Sequence, residues 1–115
     1  MKKSTLAFAG LLLLLSTFLS TAVFAEEHAL AAIEHTSAAI AQGKVNKAPA
    51  LVEHAQQALE HAKQAENAAL GHSKTQMQSA VKALQEAIDT GKTGDSKKAT
   101  ESAEEALGFL QAGNK

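Results

Sequence analysis

The chain has 115 residues, 11 of them lysine and none arginine, against 12 acidic side chains, for a formal net charge of −1. With so little basic charge and no Trp or Tyr to stack on bases, it lacks the usual holds on nucleic acid, which is excluded as a partner. The absence of Cys rules out disulfides, thiolate ligands and a lipid-bearing cysteine, and the length allows one small domain.

Residues 1–25 have the layout of a secretory signal peptide. Met1-Lys2-Lys3 is basic, Leu6 to Leu19 is apolar, and Val23 and Ala25 supply small side chains at the third and last positions before a cut. Cleavage after Ala25 leaves about 90 residues, with nine lysines against twelve acidic groups and a net charge of −3. The expected location is outside the cytoplasm, in a bacterial periplasm, without stable membrane association. An uncleaved membrane anchor is the competing reading, for which the apolar run is short.

Residues 26–115 are rich in Ala, Glu, Gln and Lys, which lose least on entering a helix. The first helical block runs from about Glu27 to Gln42 and is expected to stop at Gly43. The second follows Pro49, tolerated in a first turn, and runs to about Leu70 ahead of Gly71. The third starts at Ser73, whose spacing to Gln76 fits a capping box, and ends before Gly91. The fourth takes Asp95 as N-cap and frays at Gly113. Met77, Val81, Leu84 and Ile88 form an apolar stripe on the third helix, with Met77 as core filler. Ala99, Ala103, Ala106, Leu107 and Leu110 give the fourth a shallower one.

A shift of 48 residues overlays the two halves: "AAIAQGK" on "EAIDTGK", and "EHAQQAL" on "ESAEEAL". A duplicated helical hairpin predicts an all-α, antiparallel four-helix bundle with short loops, because one hairpin cannot bury its apolar face alone. The overlay sets His35, His54 and His61 against Ala83, Ser102 and Phe109. Histidine there is not a demand of the helices, which favours binding over packing.

Each helix of the first hairpin carries two Glu-His pairs seven residues apart: Glu27-His28 and Glu34-His35, then Glu53-His54 and Glu60-His61. Seven residues separate rings by roughly 10 Å along one axis, too far for one ion to be shared within a helix. Between antiparallel helices, however, His28 with His61 and His35 with His54 fall at equal heights, suggesting two stacked sites with carboxylates beside them. The azimuth opposes this: if Leu30, Ile33 and Ile40 are the buried face of the first helix, His28 and His35 lie nearly opposite it. His54 and His61 flank the buried face set by Leu51, Ala55, Leu59 and Ala62. Exposed imidazoles on polar faces are the competing interpretation, and His72 reads as a solvated loop residue.

Cleavage after Ala25 offers a second arrangement. His28 becomes the third residue, and a free amine, two backbone nitrogens and an imidazole can surround one ion in a plane, as Cu(II) or Ni(II) prefers. With imidazole and carboxylate but no thiolate, Cu(II) is favoured by intrinsic affinity, with Ni(II) and Zn(II) also suited.

"LAAIEHTSAAIAQGK", "VEHAQQALEHAK" and "KALQEAIDTGKTGDSKKATESAEEAL" resemble the periplasmic small metal-binding protein family over nearly all of the chain beyond residue 25. The resemblance implies a four-helix bundle that binds divalent metals, copper prominently, through histidines, here His28, His35, His54 and His61. The family's spread of histidines over both hairpins is not matched, since none follows His72. No Gly-flanked Ser nucleophile or buried acid-base couple points to an enzyme. The alternative function is a metal-independent, chaperone-like bundle that binds a protein partner and displays an apolar patch.

Overall fold

The computed structural model describes residues 24–114, so most of the expected signal segment lies outside the described residues. Four helices follow in order: α1 (Phe24–Lys44), α2 (Ala48–Ala68), α3 (Gly71–Lys92) and α4 (Ser96–Gly113). Among the described residues no helix is long and apolar enough to cross a membrane. Successive helices pack on one another and α1 closes the ring against α4. This is the antiparallel four-helix bundle that the repeat predicts.

The seam is a heptad of small residues. Buried positions recur at alternating steps of three and four on every helix: Ala29, Ala32, Thr36, Ala39 and Gly43 on α1; Ala48, Leu51, Ala55, Ala58, Ala62 and Ala65 on α2. On α3 they are Met77, Ala80, Leu84, Ala87 and Gly91, and on α4 Ser96, Ala99, Ala103, Ala106, Leu110 and Gly113. This is the a/d pattern of coiled-coil packing, with alanine at most positions so that backbones approach closely. Ile40, Leu59 and Ile88 widen the seam from one flank.

The face expected for α1 is corrected. Ile40 is buried as expected, but Leu30 is 50% exposed and Ile33 only partly buried, while Ala29, Ala32, Thr36 and Ala39 face inward. The alanine stripe wins because it meets similarly shallow neighbours at close range, whereas Leu30 would hold the helices apart.

Gly43 and Gly91 are also corrected, from helix stops to close contacts within helices. A Cβ on Gly43 would land on Thr100 Oγ1 and 2.6 Å from Leu51 Cδ1; one on Gly91 would lie 2.6 Å from Val52 Cγ2 and 3.6 Å from Ala99 Cβ. The repeat maps Leu51 and Thr100 of the first set onto Ala99 and Val52 of the second, so the hairpins pack with pseudo-two-fold symmetry. The loops obey it too: the left-handed residues that turn the chain, Asn46 (φ 65°) and Gly94 (φ 92°), are equivalent.

At the start of α3 the capping box is not formed. The helix begins two residues before Ser73, at Gly71, with Leu70 as an N-cap that offers no side-chain hydrogen bond. Asp95 does cap α4, its Oδ1 accepting from the Lys98 backbone N–H at 3.0 Å. Asp95→Ala is therefore expected to cost about 1 kcal/mol in urea unfolding, while Ser73→Ala leaves the start of α3 uncapped as before.

Candidate metal centre

The heptad explains where the histidines go. His28, His35, His54 and His61 each immediately precede an inward position: Ala29, Thr36, Ala55 and Ala62. All four take the same flank of the seam, and antiparallel packing turns the flank of α1 toward that of α2. The rings consequently meet, although the face first expected for α1 would have kept them apart. The Nδ1 atoms of His28 and His61 lie 2.8 Å apart, with ring centroids at 5.0 Å. His61 stacks nearly parallel on His35, at 5.6 Å and 5°. His35 in turn lies 6.3 Å from His54. The four rings make one zigzag, His28–His61–His35–His54, alternating between the helices.

The glutamates occupy the next position outward. Glu27, Glu34, Glu53 and Glu60 are all exposed, one residue further from the seam than their histidines. Glu27 and Glu34 line an open groove with His28 and His61 and with the apolar Leu30 and Ala31. Glu53 and Glu60 instead line a separate hollow on α2 with Gln56, Gln57 and Leu59. Among the described residues no three His, Asp, Glu or Cys side chains converge in a way that could hold an ion. The protein thus presents pairs of imidazoles rather than a closed cage.

A pair suffices for part of a coordination shell. Two nitrogens bound at about 2.0–2.1 Å and at a right angle are roughly 2.9 Å apart, and the His28–His61 separation is close to that edge. The contact itself needs one nitrogen to donate and the other to accept, so an ion can replace the shared proton after a modest ring rotation. His54 Nδ1 is enclosed with no hydrogen-bond partner, and a buried imidazole nitrogen without one retains its capacity to bind an ion. The residues therefore fit an imidazole-seeking divalent ion.

Electrostatics favour the same ion. His61 titrates below the ordinary imidazole value of 6.5, chiefly through burial and next through charge on His28 and His35, with Glu60 opposing. Neutral imidazole is the ligand form, so the depression keeps His61 ready at neutral pH. It also makes the folded state bind fewer protons at this site than the unfolded chain. The stability it confers is present above 6.5 and lost as pH falls through the lowered folded value. The melting temperature of the metal-free protein should drop between about pH 7 and pH 5, and His61→Gln should flatten that slope.

His72 stands apart on α3, exposed, with Gln76 at 3.4 Å. Met77 is 1% exposed in the core, as a filler should be.

Fold and site together define a small helical bundle with four imidazoles gathered along the α1–α2 flank. The chain belongs to the small metal-binding protein family, whose model matches residues 1–113. The comparison with curated proteins found no match.

Proposed function

We propose that the protein binds and buffers a divalent transition-metal ion in the periplasm, Cu(II) foremost and Ni(II) or Zn(II) as alternatives. His28, His35, His54 and His61 are the nitrogen ligands, and Glu27 and Glu34 supply charge from the rim of the groove. The observation that carries this reading is the run of four imidazoles in contact across α1 and α2, one pair at 2.8 Å. Thiolates are absent, so imidazole preference sets the order, and Cu(II) stands at its top. Open sites with few ligands suit uptake and release better than catalysis.

Signal cleavage after Ala25 adds the amino-terminal site. In the described chain Glu26 to His28 lie in α1, whose first turn includes Glu26 and Glu27, and the His28 ring meets His61. A planar ion at the terminus needs that turn to unwind. The terminal site and the ring site thus compete for His28.

The test is a Cu(II) titration against a competing chelator near neutral pH, counting ions retained. At least one tightly held ion is expected, and retention should weaken as pH falls through the imidazole range. No retained ion would overturn the reading. Acetylating the new amine separates the sites: the terminal ion is lost and the ring-held ion kept. The metal-independent alternative gains no specific support: among the described residues the exposed large apolar side chains Leu30, Val45, Leu70 and Phe109 lie on four different segments.

A further inference from the structure

The His28–His61 pair supplies half of a shell. Zn(II) in stable protein sites takes four ligands in a tetrahedron, whose nitrogen–nitrogen edge is roughly 3.3 Å at ordinary bond lengths. The Nδ1 atoms at 2.8 Å reach that edge by a modest ring rotation. His35 does not complete the shell: it stacks on His61 at 5°, and lone pairs lying in near-parallel ring planes do not aim at one point. Among the described residues no third His, Cys, Asp or Glu converges with the pair. The pair instead opens on a groove in which Leu30, 50% exposed, and Ala31 lie with Glu27 and Glu34.

We propose that one ion joins two copies of this chain, each giving His28 and His61, about a two-fold axis that passes through the ion. This rests on the metal-binding reading above. Two-fold pairing brings the same patch of both copies together, so two nitrogens from each close a four-nitrogen shell. Leu30 and Ala31 share the groove with the pair and are carried against their counterparts, which takes exposed apolar surface out of water on both sides.

The association depends on the ion. Leu30 and Ala31 are the apolar part of the groove, far short of the about 1,000 Å² that a stable interface buries. Glu27 and Glu34 are exposed, so pairing gathers four carboxylates around the axis, and like charge holds ion-free copies apart. A dication between them offsets half of that charge. Excess ion reverses the pairing by mass action, because each His28–His61 pair then takes an ion of its own.

Zn(II), which does not favour the planar amino-terminal geometry, is the probe, titrated into the native protein while light scattering reads mass and a chromophoric chelator reads bound ion. The mass should rise from one chain toward two at limiting ion and return to one chain in excess. His61→Ala should abolish the rise, whereas His72→Ala, on an exposed ring apart from the groove, should keep it. Leu30→Gln should weaken association by about tenfold or more while leaving the ion bound by single chains. Bound Zn(II) with the mass of one chain at every ratio would overturn the bridge and leave the metal-binding reading standing. A dimer without ion, or one that survives His61→Ala, would overturn the bridge equally. No bound ion at all would overturn the metal-binding reading itself.

Discussion

Alanine at both His35 and His61 should weaken Zn(II) binding by about a hundredfold or more, while leaving the metal-free bundle folded. These two rings take part in every ring contact along the zigzag, so once both are gone no two imidazoles of the set touch. What is lost is chelation, in which the first nitrogen holds the ion where the second meets it at a high effective concentration. The fold should tolerate the change because both positions are partly exposed flanks of the seam and alanine is the best helix former. Circular dichroism of the metal-free variant gives the control, and competition titration gives the affinity.

Valine at Gly43 should cost about 3 kcal/mol and lower the melting temperature by about 10–20 °C. The added Cβ would strike Thr100 Oγ1 and lie 2.6 Å from Leu51 Cδ1, and Leu51 is fully buried. Thr100 yields poorly, since its hydroxyl donates to the Ser96 carbonyl at 2.6 Å. The effect should not be general to helical glycine. Gly108 is exposed within α4 with nothing within 4 Å of its missing Cβ, so Gly108→Ala should stabilise by about 0.5–1 kcal/mol through the backbone alone. Opposite signs at the two glycines, read by thermal or urea unfolding, would establish that close helix approach sustains the core.

The number, order and antiparallel pairing of the helices were legible because duplication repeats the turn signals, and Asn46 and Gly94 turn the chain at equivalent places. Equal heights of His28 with His61 and His35 with His54 followed from the short loop alone. The rotation of α1 did not follow from seeking its largest apolar side chains, because Leu30 stands 50% exposed. The signal was nonetheless present in Ala29, Ala32, Thr36, Ala39 and Gly43, a three-four spacing shared by every other helix. In a bundle this rich in alanine, smallness marks the seam better than hydrophobic bulk. That rotation brings the histidines together and sends Glu27 and Glu34 outward, so the imidazole set was recoverable only with the seam identified. The place of Ser73 inside α3 had no such marker, since Leu70 begins the helix without a side-chain cap.

The most direct test of imidazole-held metal is to follow the five histidine ring resonances by NMR as Zn(II) is added near neutral pH. His72, exposed and outside the zigzag, is an internal control. The expected result is that the rings of His28, His35, His54 and His61 shift in step with bound ion while His72 stays in place. Five unmoved rings, or a response from His72 equal to the others, would contradict a metal site on the α1–α2 seam.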